Sequence, residues 1–316
     1  MNLADLDTWT KEKAPDIDFD VHICVKRLSF FGFKVLAPSR HCFMIDWGNG
    51  TKYVCQGSGA WEYYSCDYPE CECASEYRVA VYADAGSEIL GLDVTCTDIY
   101  ERYVARLDTS RCRSLRELNT EDCLNLDLSG NPHLKVLRCY LALFDSLDVS
   151  SNPELEELYI DAPSSKLQSL DLSGCPALKD LTCRSTDIRS LELSHNPDLE
   201  SLDVSSSQFL SCLDLSGCPA LRDMTCCNTD IRSLELSHNP DLESLDVSGS
   251  QFLSCLDLSA CSKLRHLVFS DCPALTELRL PELSMLEYVC YNNSGIIGRK
   301  EDWLLKYLLK RKGNMF

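Results

Sequence analysis

Residues 178 to 220, LKDLTCRSTDIRSLELSHNPDLESLDVSSSQFLSCLDLSGCPA, are followed at once by residues 221 to 263, LRDMTCCNTDIRSLELSHNPDLESLDVSGSQFLSCLDLSACSK, identical at 35 of 43 positions. Each block divides at an internal leucine, Leu199 or Leu242, into units of 21 and 22 residues that begin Leu-x-x-Leu-x-(Cys/Val). Weaker copies begin at Leu134, Leu155, Leu264 and Leu286, after a degenerate opening turn near Leu115. One such unit buries about seven apolar side chains at ~2 kcal/mol each, against an ordering cost of ~1.5 kcal/mol for every residue. It cannot fold alone, so the units are expected to stack on one another and share a core.

The spacing also assigns faces. In Leu178-Lys179-Asp180-Leu181-Thr182-Cys183, Leu181 and Cys183 alternate inward along a short strand while Asp180, Thr182 and Arg184 point outward. Ile188, Leu191 and Leu193 return the chain along the far side, and Ser194-His195-Asn196-Pro197-Asp198 supplies turn chemistry before the next leucine.

The pattern LxxLxCxxTxIxSLxLSxNPx resembles the cysteine-containing leucine-rich repeats of bacterial surface proteins, the internalins and many Bacteroidetes proteins among them. The resemblance implies a repeat solenoid with a parallel sheet on its concave face. The strand cysteine recurs as Cys139, Cys183 and Cys226, but Ile160, Val204, Val247 and Phe269 replace it elsewhere, and the usual turn asparagine becomes Thr186, Ser207, Thr229 and Ser250. Those hydroxyls retain the capacity to bond local backbone groups.

Ahead of the repeats, FMIDWGNGT (43 to 51) reads as a strand entering a tight Gly-Asn-Gly turn, and YRVAVYA (77 to 83) alternates with period two. With FKVLA, these segments resemble the small immunoglobulin-like β-sandwich of PKD-type domains, which implies a module covering the open end of the repeat core. At the other end, RKEDWLLKYLLKRK (299 to 312) places Trp303, Leu304, Tyr307 and Leu308 on one helical face, a stripe expected to cap the last coil. The expected class is therefore α+β, mainly β. The expected order is a flexible start (1–13), a PKD/Ig-like β-sandwich (14–108), leucine-rich repeats (109–298) and a C-terminal capping helix (299–316).

Charge excludes one class of partner. The chain carries 49 Asp plus Glu against 30 Lys plus Arg, a net charge of -19, which opposes binding to a nucleic-acid backbone. From 115 to 298 there are 29 acidic and 12 basic residues, net -17, so nearly all the excess lies in the repeats. No run of about 18 apolar residues signals a membrane-spanning helix, and the first residues lack the order of a secretory signal. The chain as written reads as cytoplasmic, whereas the resemblance implies export to the cell surface if a signal has been removed.

Candidate chemistry is sparse. Cys55, Cys66, Cys71 and Cys73 could supply thiolates or pair with one another, but Cys-x4-Cys-x-Cys is no standard zinc spacing. No metal or cofactor is expected. The repeat cysteines Cys175, Cys183, Cys212, Cys218 and Cys226 read as buried small hydrophobes. His195 and His238 share one turn slot in the duplicated blocks, which repetition explains better than catalysis. His266 falls near Asp223, Ser244 and Ser270, but no nucleophile elbow accompanies it. An enzyme is not expected.

The outward strand face is the candidate surface. Its first column includes Asp180, Asp223, His266 and Tyr288; its second, Tyr159, Thr182, Asp203, Thr225 and Asp246; its third, Tyr140 and Arg184. Tyrosines at the ends of an acidic stretch are suited to anchor a protein partner. The expectation is a monomeric, non-enzymatic recognition scaffold whose concave face binds a protein partner, basic or host-derived. The alternative is glycan binding, through Trp47, Trp61, Tyr63 and Tyr64 of the first domain or along the repeat face.

Overall fold

The computed structural model describes residues 17–25, 30–68, 75–83, 86–95, 103–281 and 285–298. The chain divides into two compact units, Met1–Leu155 and Glu156–Phe316.

The strands of the first unit are β1 (Ile17–Val25), β2 (Phe30–Leu36), β3 (Cys42–Asp46), β4 (Lys52–Gln56), β5 (Trp61–Asp67), β6 (Ser75–Ala83), β7 (Gly91–Val94), β8 (Tyr103–Asp108), β9 (Glu117–Glu121), β10 (Leu126–Asp127) and β11 (Val136–Tyr140). One sheet runs in the order β10-β8-β1-β6-β3-β4. In the other, β5 and β7 flank β2 antiparallel, and β7, β9 and β11 then pair in parallel. Phe31, Phe33 and Trp47 are buried, with the Phe33 and Trp47 rings 5.4 Å apart. The Gly-Asn-Gly turn forms as the sequence suggests. The backbone N–H of Trp47 donates to the Thr51 carbonyl at 3.0 Å, and Gly48 has φ +72 with the Arg78 carbonyl oxygen 2.5 Å from where a Cβ would stand. β3 and β4 pair across that turn.

The second unit holds β12 (Glu157–Asp161), β13 (Asp180–Arg184), β14 (Ser190–Glu192), β15 (Ser201–Asp203), β16 (Cys212–Asp214), β17 (Asp223–Thr225), β18 (Ser233–Leu234), β19 (Ser244–Asp246), β20 (Cys255–Asp257), β21 (His266–Val268), β22 (Glu277–Arg279) and β23 (Tyr288–Cys290). β12, β13, β15, β17, β19, β21 and β23 form a parallel sheet, one strand per coil. Leu181, Cys183 and Leu202 are each 1% exposed, so the coils share a continuous interior as the spacing requires. The return legs are extended as well, pairing as β14-β16 and as β18-β20-β22.

The expected α+β class is corrected here. Among the described residues the protein is a β-solenoid of the leucine-rich type with no helix, and the segment read as a capping helix, 299–316, lies outside those residues. Period length gives the physical reason. A coil of 21 or 22 residues that spends about five on a strand and several on each turn has too few left for a helical return.

Most coils turn sharply where the strand ends, the coil of β12, with Ala162 in that slot, being an exception among the described residues. Asp122 and Leu141 in the first unit, and Ser185, Ser206, Asn228, Gly249, Asp271 and Asn293 in the second, occupy the same exit slot with φ between 48 and 74. In that conformation the N–H points along the stack: Ser206, Asn228, Gly249 and Asp271 donate to the carbonyls of Cys227, Ser248, Ser270 and Asn292 at 2.8 to 2.9 Å. The buried residue that follows is small or hydroxylated, and Ser207 and Thr229 donate to the Cys183 and Cys226 carbonyls. A second ladder lines the other turn. Asn196 donates both amide hydrogens, to the Leu172 and Cys175 carbonyls, and Asn239 does the same to Leu215 and Cys218.

Candidate protein-interaction face

Strand register builds the face directly. In the second unit Glu157 stands opposite Asp180, and the column continues through Ser201, Asp223, Ser244 and His266 to Tyr288. The next column runs Tyr159, Thr182, Asp203, Thr225, Asp246, Val268, Cys290. Asp180, Arg184, Asp223, His266 and Tyr288 are exposed, the last by 53%, while Tyr159, Thr182, Asp203, Thr225 and Asp246 are half-buried. Tyr140 lies on β11 of the first unit, opposite Glu121.

Most of the acid content is bound to the chain itself, and this changes how the negative charge is read. In Asp-x-Ser turns a carboxylate accepts the backbone N–H two residues on. Asp171, Asp214 and Asp257 do so at 2.9 to 3.0 Å. Bonds from Ser173, Ser216 and Ser259 hold these three carboxyls below the usual range. On the strand face, Asp203 and Asp246 accept the Ser205 and Ser248 N–H at 2.9 Å. The other oxygen of Asp203 lies 3.6 Å from Arg184 Nε.

A second set of charges forms a ladder on the flank. The residue after the first leucine of each coil reads Glu156, Lys179, Glu200, Arg222, Glu243, Arg265, Glu287. Signs alternate from coil to coil, and so do contacts. Lys179 lies 2.9 Å from Glu156, Arg222 lies 3.7 and 3.5 Å from Glu200 and Glu243, and Arg265 lies 3.9 and 2.9 Å from Glu243 and Glu287. Alternation needs two coils to repeat, and the 43-residue block spans two coils. The Asn and Cys residues of the turn slot alternate in step, as Cys175, Asn196, Cys218, Asn239 and Cys261.

Asp180 and Asp223 stand two coils apart in the first column of the face. Both are exposed, and among the described residues neither carboxylate accepts a hydrogen bond or enters an ion pair. Desolvation, then the negative charges of Glu157 and Glu200, push the Asp180 carboxyl up. The positive charge of Lys179 opposes this shift without reversing it.

Other residues marked in the sequence fall elsewhere. His266 shares a column with Ser244 and Asp223, and no hydrogen bond among the described residues joins them. Cys55 is buried, with its thiol pushed up to about 12 chiefly by that burial; Cys66 is buried too, and Cys71 and Cys73 lie outside the described residues. Cys175, Cys183, Cys218 and Cys226 are buried, but Cys212 is exposed. It opens β16, where Leu213 takes the inward position and alternation turns its neighbour out. Trp47 is fully buried and presents no ligand surface, whereas Tyr63 is 51% exposed. Sequence reading missed the flank ladder and the Asp-x-Ser caps, although both have plain signals: strict sign alternation after the coil's first leucine, and a recurrent serine two residues after an acid.

No protein-family profile matches the chain, and no curated protein matches it. Similar solved structures include the functional domain of InlJ from Listeria monocytogenes, which includes a cysteine ladder, at 24% identity over 61% of this chain and 52% of that one, TM-score 0.33. An internalin, InlF of the same species, aligns at 19% identity over 65% and 74%, TM-score 0.44. YopM from Yersinia enterocolitica aligns at 23% over 58% and 47%, TM-score 0.38. The chain thus spans about half the length of the first of these. These neighbours are leucine-rich repeat proteins; identities under 25% and TM-scores under 0.5 transfer none of their properties to this chain.

Proposed function

We propose that the chain is a non-enzymatic recognition scaffold whose strand face binds a basic segment of a protein partner. One observation carries the reading: Asp180 and Asp223 are exposed carboxylates that accept no hydrogen bond and enter no ion pair among the described residues, on a face where Asp203 and Asp246 are committed to turns. A carboxylate left unpaired beside Glu157 and Glu200 gains most from a cation supplied by another molecule. Tyr159, Thr182, Thr225, His266 and Tyr288 line the same columns. Under the same reading, residues 14–108 form a sandwich module of PKD type at the open end of the repeats, supported by the aromatic core around Trp47. A glycan reading would keep Trp61, Tyr63 and Tyr64 on β5.

The test is capture of basic peptides by the purified chain, comparing the wild type with Asp180→Lys/Asp223→Lys at two salt concentrations. The reversals should abolish salt-sensitive capture, and capture that persists unchanged rejects this face. Asp203 and Asp246 are unsuited to reversal, because each holds a backbone N–H.

A further inference from the structure

We propose that the segment bound on the strand face is a polyproline-II stretch with a basic residue at every third position. The inference rests on the reading above and adds the partner's backbone geometry. Asp180 and Asp223 share a column with Ser201 between them, so their Cα atoms are separated by two strand spacings, about 9.6 Å. Asp203 and Asp246 repeat that step one column across, with Thr225 between them.

Backbone geometries match this step unequally. A β-strand returns side chains to one face every two residues, at about 6.8 Å, so its third residue points away. An α-helix returns after seven residues, at about 10.5 Å, and drifts ~20° in doing so. Polyproline II has three residues per turn and a rise of about 3.1 Å, so every third side chain lies on one face about 9.3 Å apart without drift. Its carbonyls make no internal bonds, and the half-buried hydroxyls of Ser201, Ser244, Thr182 and Thr225 offer donors between the carboxylates. One further double step along the column reaches His266, followed by the exposed ring of Tyr288. The basic pattern should therefore cover two positions and then give way to a proline or aromatic group.

The experiment measures binding of the full chain to a labelled peptide of four Lys-Pro-Pro triplets. A second peptide carries the same four lysines spaced by three prolines, and a helical peptide carries lysines at heptad spacing, all at low ionic strength. The triplet peptide should bind about fivefold more tightly than either, the effect of keeping two exposed ion pairs in register. Asp180→Asn/Asp223→Asn should erase that preference. Equal affinities, or tighter binding of the heptad peptide, overturn the polyproline-II proposal and leave the acidic face standing. Failure of every peptide to bind, or binding indifferent to the two Asn substitutions, overturns the reading of the face itself.

Discussion

Two rows of charge run along the second unit, one residue per coil, and they are built on opposite plans. On the flank, Glu156 to Glu287 alternate in sign and pair with their neighbours. On the strand face, Asp180 and Asp223 repeat the same sign every second coil and are left unpaired. The flank row is complete within one molecule; the face row is not. A net charge of -17 over the repeats cannot make this distinction, because capped, paired and unengaged carboxylates count alike. What points to a partner is lack of internal commitment.

The severest way to break the comparison is deletion. Removing residues 199–220 stacks Lys179 on Arg222 and loses the glutamate between them, whereas removing 178–220 preserves every junction of the ladder. The shorter deletion is expected to be the less stable by about 1–3 kcal/mol, from lost pairs, like-charge contacts and mismatched turn slots. Urea midpoints check this, and a more stable single-coil deletion would show that two-coil alternation has no energetic basis. Next in size, Asn239→Ala strands the Leu215 and Cys218 carbonyls and should cost about 2–3 kcal/mol without altering peptide binding at temperatures where the fold persists.

A crossed pair of reversals separates the two rows. Glu243→Lys faces Arg222 and Arg265 at once and should cost about 1 kcal/mol of stability while binding is retained. Asp223→Lys should change stability by under ~0.5 kcal/mol while binding is lost. Thermal unfolding and peptide titration on both variants decide it, and matching phenotypes would erase the distinction.

The smallest effect concerns pH. The Asp180 carboxyl is raised in the folded state, so its ionised form opposes folding above the unfolded value and contributes nothing once protonated. Asp180→Asn is therefore expected to raise the melting temperature slightly near neutral pH, a gain that fades as pH falls through the raised folded value and is gone below the ordinary Asp range. Asp214 has the opposite sign. Its lowered carboxyl stabilises the fold above the unfolded value, and that contribution is lost as pH falls through the lower folded one. Acid titrations of the two Asn variants should diverge in these directions.

Much of the repeat region was legible because one rule recurs in every coil. Leu181, Cys183 and Leu202 could be placed inside from period two alone, and the columns of the face follow from aligning the coils. Cys212 misled such reading. Its residue type suggested burial, but the alternation of β16 turned it outward.

Sequence by itself determined the coil length, the inward leucines and the outward acids, because alternation along a strand and recurrence between coils are local properties of the chain. Only the tertiary structure decided which acids are engaged. The partners of Glu243 stand 21 and 22 residues away, on neighbouring coils, and the isolation of Asp180 is a fact about what those coils fail to bring near it.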